Sequence, residues 1–174
     1  MTKQTDSGDF DCASFSAPTE AHKKLKPFVG VFRAEAKLWM GSGEPHVSTG
    51  TMTNEWDLGG RYLKQTYVGD PSEGPFPEFQ GRGYWGYNTV LDRYEGFWID
   101  TASTFMAMET GQHDEATNVW TMTKTAVNPE TGEPMQTRTV ITLLDQDSHV
   151  TEMFFETPDG GELKGMAITY ERVG

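Results

Sequence analysis

The clearest signal in the chain is alternation. From Phe32 to Met40, the apolar residues Phe32, Ala34, Ala36 and Leu38 alternate with Arg33, Glu35 and Lys37. That period of two is the mark of a strand with one face in the core and one in water. Met52, Asn54, Trp56 and Leu58 oppose Thr51, Thr53, Glu55 and Asp57, and near the end Met166, Ile168 and Tyr170 oppose Gly165, Ala167 and Thr169. In each case the first set is expected to point inward. Around residue 82 the parity is open: Gln80-Arg82-Tyr84 and Phe79-Gly81-Gly83-Trp85 fit an inward face equally well. One segment has a helical period instead. After Pro18, which suits a first helical position, Ala21, Leu25, Phe28 and Val29 fall on one helix face, and Gly30 is placed to end it in a left-handed cap.

Turn chemistry divides the remainder. It occurs at Gly41-Ser42-Gly43, Leu58-Gly59-Gly60, Gly69 to Glu78, Asn88 to Asp92 and Asp100-Thr101-Ala102, then at Gly111 to Asn118, Asn128 to Pro134, Asp145-Gln146-Asp147 and Pro158-Asp159-Gly160-Gly161. These connectors imply about ten strands in an all-β, up-and-down antiparallel β-barrel with one short N-terminal helix. No gap holds a second helix, which excludes βαβ units. Residues 1–17 are expected to be a flexible tail and 18–174 a single barrel domain. Side chains do not easily fill a barrel of about this width, so inward polar residues are expected to line a cavity.

Composition narrows the partners. The 174 residues carry a formal charge of −12, with a pI of about 4.6. The largest basic cluster is Lys23-Lys24 with Lys26 nearby. No nucleic acid is expected, because binding phosphates needs a basic patch, and no anionic membrane surface either. Aromatic residues make up 12% of the chain, a large area for burial. Cys12 stands alone, so no disulfide can form within the chain, which points to a reducing compartment. No apolar run approaches transmembrane length and residues 1–17 do not resemble a signal peptide, so a cytoplasmic protein is expected.

Several segments together carry a resemblance: His22-x-x-Leu25-x-x-Phe28-x-Gly30-x-Phe32, Leu58-Gly59-Gly60-Arg61-Tyr62-Leu63, Gly81-x-Gly83-x-x-Gly86-Tyr87-Asn88, Tyr94-x-x-x-Trp98-x-Asp100, and Lys164-Gly165-Met166-x-Ile168-x-Tyr170-x-Arg172. Over about residues 20–172 the chain resembles the bacterial family 1579 of the domains of unknown function. The resemblance implies a lipocalin-like (calycin) barrel and the habit of such barrels, an apolar ligand held inside. It supplies no catalytic residues, and fold alone does not fix function.

The residues themselves suggest a binding site for a small, largely apolar molecule. Trp56, Tyr84, Trp98, Met166 and Tyr170 would supply contact area, with Asp100 and Arg138 orienting a polar end. Trp98 and Asp100 share a face with Tyr94; Asp100 equally suits a cap on the following turn. Arg82, Glu152 and Lys164 fit outward ion pairs, whereas Arg138 shares a face with Val140 and Leu144 and leans towards the interior. Two alternatives stand beside binding. One is a cofactor-independent isomerase, cyclase or hydrolase using Asp100 or Glu152 in the cavity. The other is an interaction module that dimerises through the outer face; the expected state is monomer or homodimer. His22, His46, His113 and His149 lack metal-ligand spacing, so no metal and no cofactor, haem included, is expected. Gly81, Gly83 and Gly86 fit the G-x-G-x-x-G spacing, but no helix follows to hold a phosphate. The methionines, among them Met106, Met108, Met122, Met135, Met153 and Met166, suit an adaptable apolar cavity or an ordinary core.

Overall fold

The computed structural model describes residues 15–41, 43–128, 131–157 and 159–174. Cys12, most of the expected tail and Pro158 lie outside them. Ten antiparallel strands close into a barrel in which each neighbours the next in sequence and β1 meets β10. They are β1 (Gly30–Leu38), β2 (His46–Asp57), β3 (Tyr62–Gly69), β4 (Gln80–Asn88), β5 (Arg93–Asp100), β6 (Met108–Asp114), β7 (Val119–Val127), β8 (Pro134–Leu143), β9 (Ser148–Glu156) and β10 (Glu162–Arg172). Closure removes the free edges that an open sheet would leave for aggregation. The seam pairs Phe32 with Arg172 and Ala36 with Ile168.

The helical segment breaks where its sequence forces it to. Helix α1 (Glu20–Lys23) is a single turn, capped at Thr19, whose backbone N–H donates to His22 Nδ1 at 3.0 Å. Pro27 cannot donate a helical hydrogen bond and its ring crowds the carbonyl four residues back. The chain therefore continues as a 3-10 turn, Lys26–Phe28, instead of the one continuous helix expected. Gly30 has a positive φ, 137°, as the first residue of β1 and not as a left-handed helix cap. These turns close one end of the barrel. Leu25 and Phe28 pack inside it against Leu63, Trp85, Tyr94, Trp120 and Met122.

Arg172 holds this plug in place. Its guanidinium donates to the carbonyls of Val29 and Pro27, each at 2.7 Å, and to that of Gln146 at 2.8 Å. It also lies over the Phe32 ring, 4.6 Å from the centroid. Asn54, buried on the inner face of β2, donates to the carbonyl of Phe28 at 2.9 Å. The segments around Phe28, Gly30 and Arg172 that stood out in the sequence are thus one structural joint.

The inward sets of β1, β2 and β10 are as the alternation indicates, except Leu58. That residue belongs to the turn after β2 and is exposed, with φ 47°. The open parity of β4 resolves with Gly81, Gly83 and Trp85 inward and Arg82 and Tyr84 outward. One connector is corrected: Gly111 lies within β6, where a Cβ would come 2.0 Å from the Thr121 carbonyl oxygen. It is a strand glycine at a close approach, not the start of a turn. A bulge between Lys164 and Met166 switches the parity of β10. Lys164 therefore points outward to pair with Glu152, while Met166 points inward. Among the described residues, no helix is long and apolar enough to cross a membrane.

The turn between β2 and β3 has three consecutive residues with positive φ: Leu58, Gly59 at 71° and Gly60 at 83°. The Gly60 N–H donates to the Asp57 carbonyl at 3.1 Å. A Cβ on Gly60 would make only an ordinary contact, 4.0 Å from Pro18 Cγ, so Gly60→Ala tests backbone conformation without a clash. Urea denaturation should show a loss of about 1 kcal/mol. Unchanged stability would contradict the left-handed turn.

Candidate functional site

The end of the barrel opposite the plug is hollow. A cavity of about 460 Å³ runs from a floor at Phe28 and Trp85 to a mouth between the connecting loops. Tyr67, Trp98, Ile168 and Tyr170 are among its walls. Loops 70–79 and 101–107 bring the half-exposed rings of Phe76 and Phe105 to the mouth.

Of the residues singled out from the sequence, Trp98, Asp100, Met166 and Tyr170 line this cavity. Trp98 is placed by two glycines on the neighbouring strand. A Cβ on Gly81 would lie 1.9 Å from the Trp98 ring, and one on Gly83 2.8 Å from it. The indole N–H donates to Asp100 Oδ2 at 3.1 Å. The other carboxylate oxygen of Asp100 accepts from the Ala102 N–H at 3.0 Å. Asp100 thus caps its turn and fixes the tryptophan at once.

Three expected residues lie elsewhere. Tyr84 is on the outer face, donating to Asp57 Oδ2 at 2.9 Å, because the glycines of β4 take the inner positions. Arg138 also points outward: its Nε donates to Glu162 Oε1 at 2.8 Å and its guanidinium covers the Phe154 ring. The inner face of β8 belongs to Thr137, Thr139 and Ile141, a set too polar to signal its orientation by hydropathy. Trp56 has the inward parity but sits at the plugged end, where a small cleft joins it to Pro18, His22 and Lys26. The carboxylate of Glu152 is on the outside with Lys164, and so is not available to the cavity.

A family profile described as "Protein of unknown function (DUF1579)" matches residues 17–172. The chain belongs to this family. No curated protein matches the chain. Among the solved structures similar to it are two barrels. One, titled as a redesigned β-barrel, is 16% identical, with a TM-score of 0.43 over 91% of this chain and 100% of that one. The other, EF1p2_mFAP2b bound to DFHBI, is 10% identical, with a TM-score of 0.45 over 87% and 98%.

The cavity of this DUF1579 protein holds polar groups that the sequence did not single out. Glu109 on β6 and Lys124 on β7 both line it. Burial raises the Glu109 pKa from its ordinary value, and Lys124 opposes the rise. Thr137 and Thr139 are buried with hydroxyls that have no partner among the described residues. His149 is stacked on Tyr170 with 4.3 Å between ring centroids, and Phe28 and Phe32 meet it edge-on. The four histidines are dispersed: His22 is in α1, His46 at the mouth, His113 stacked on Trp120, and His149 inside. Among the described residues no group of three or more His, Cys, Asp or Glu is gathered as a ligand set. Glu109 could have been found by extending alternation back from Gly111 and His113. The turn-like signature of Gly111 masks that alternation.

Burial, with Arg172 adding to it, lowers the His149 pKa to about 3. In the unfolded chain the imidazole titrates near 6.5. Between these values the unfolded state binds the extra proton, so stability from this group is complete above about pH 6.5 and is lost as pH falls towards 3. At pH 4.5 the loss amounts to roughly 2–3 kcal/mol. Thermal melts of wild type and His149→Phe at pH 7 and 4.5 measure it. Wild type should lose more stability on acidification, whereas equal losses would contradict a neutral, buried imidazole.

Proposed function

We propose that this protein binds a small, largely apolar molecule inside its barrel, in the manner of lipocalin-like (calycin) proteins. The observation that carries the reading is the cavity of about 460 Å³, closed below by aromatic rings and open at the mouth. That volume is in the range of small-molecule sites, as is the chemistry: apolar walls with a few polar groups. Trp98, Tyr170, Met166 and Met153 supply dispersion contacts, and the thioethers adapt to ligand shape. Asp100 acts on the ligand through Trp98, whose ring it orients.

Burying a modest apolar ligand at about 25 cal/mol per Å² yields several kcal/mol before association costs, which corresponds to micromolar affinity. Catalysis by an isomerase, cyclase or hydrolase of the same cavity would fall to Glu109, since Glu152 is outside and Asp100 is engaged at a turn. A panel of substrates that bind without turnover separates the two readings.

Titration with fatty acids, retinoids, indoles and flavonoids, followed by tryptophan emission, tests binding. At least one class should saturate the signal at micromolar concentration. Trp98→Ala should weaken that ligand by about tenfold, while Glu35→Gln on the outer face should change it little. Absence of a saturable change with every class would defeat the proposal.

A further inference from the structure

Two side chains of opposite charge occupy neighbouring positions on the cavity wall. Thr110 pairs with Thr123 across β6 and β7, so the next rung sets Glu109 beside Lys124. On the other side, Lys124 pairs with Thr137 of β8. All three line the cavity. Glu109 and Lys124 are half-buried. No ion pair within 4 Å joins them, and neither side chain has a hydrogen bond among the described residues. Thr137 is 2% exposed and its hydroxyl has no partner among the described residues. On the outer face several charged strand residues are paired: Lys64 with Glu55, Arg138 with Glu162, and Lys164 with Glu152. Polar groups left without partners inside a barrel are costly, and burial already raises the pKa of the Glu109 carboxyl.

We propose that Glu109 and Lys124 together receive the polar group of the cavity's ligand, and that this group is an uncharged hydroxyl on an aromatic or otherwise apolar skeleton. The proposal rests on the reading of the barrel as a small-molecule binder. A hydroxyl both donates and accepts, so it donates a hydrogen bond to the Glu109 carboxylate and accepts one from the Lys124 ammonium. A ligand carboxylate satisfies Lys124 but opposes Glu109. A ligand ammonium satisfies Glu109 but opposes Lys124. Either places like charges together in a site of low dielectric. The formal charge of −12 further disfavours an anion approaching the mouth. The aromatic walls at Trp98 and Tyr67 accommodate the skeleton.

Three probes of one size test this: 2-naphthol, 2-methylnaphthalene and 2-naphthoate. They are titrated at pH 7 against the full chain by calorimetry. Naphthol should bind at least about tenfold more tightly than either of the others, the increment of a hydrogen bond to a charged group. In the double variant Glu109→Met/Lys124→Met, which leaves no unpaired charge, the preference for naphthol over methylnaphthalene should fall within about threefold, with methylnaphthalene affinity retained. Equal binding of naphthol and methylnaphthalene to wild type overturns the hydroxyl site and leaves the binding function standing. Naphthoate as the tightest ligand likewise overturns it. If none of the three binds, the hydroxyl site is overturned, while the cavity-binding reading is decided by the fatty acid, retinoid, indole and flavonoid titration.

Discussion

The constraint on which the rest depends is the width of a ten-strand barrel. Closing ten antiparallel strands removes every edge but encloses more space than their own side chains readily fill. The protein meets this unequally. At one end, Leu25 and Phe28 enter from the N-terminal turns and join Leu63, Trp85 and Trp120 in a tight core. Arg172, at the end of the last strand, ties those turns to the barrel by hydrogen bonds to Pro27 and Val29. Concentrating the largest rings at that end leaves the other half open. The plug and the cavity are thus two results of one geometric fact.

Wall chemistry follows from the same division. Where the barrel is packed, inward residues are mostly aromatic and aliphatic, with His113 stacked on Trp120 among them. Where it is hollow, the wall admits Asn54, Thr137, Thr139, Glu109 and Lys124 among apolar neighbours. His149 sits at the boundary, against Phe28 of the plug and Tyr170 of the wall, and burial keeps its ring neutral. Trp98 lies against β4 because Gly81 and Gly83 have no side chains to displace it. A strand with those two glycines weakens its own packing in order to position a ring on the next strand.

Strand number, order and the inward faces of β1, β2 and β10 could be read from alternation and turn residues, because each contrast was strong: Phe32 beside Arg33, Ile168 beside Thr169. Orientation was not legible where the contrast was weak. On β8, Arg138 shares its parity with Val140, while Thr137 and Thr139 occupy the inner face, so hydropathy pointed the wrong way. On β4, inward glycines carry no hydropathy signal, and Tyr84 looked as suitable as Trp85. Depth along the barrel is also absent from a period of two. Trp56 has the correct parity but lies at the plugged end, beyond the cavity wall. Glu109 is hidden in the sequence because Gly111, a glycine of close approach, has the same signature as a turn glycine.

The central claim is that one half of the barrel is filled and the other is an apolar cavity available to a ligand. A crystal structure determined under xenon pressure tests it most directly, since xenon enters apolar cavities and not packed cores. The account predicts xenon bound between Trp98 and the Met166–Tyr170 wall, with none among Phe28, Trp85 and Trp120. An interior filled by inward-folded mouth side chains such as Phe76 and Phe105, with no xenon in the barrel, would contradict it.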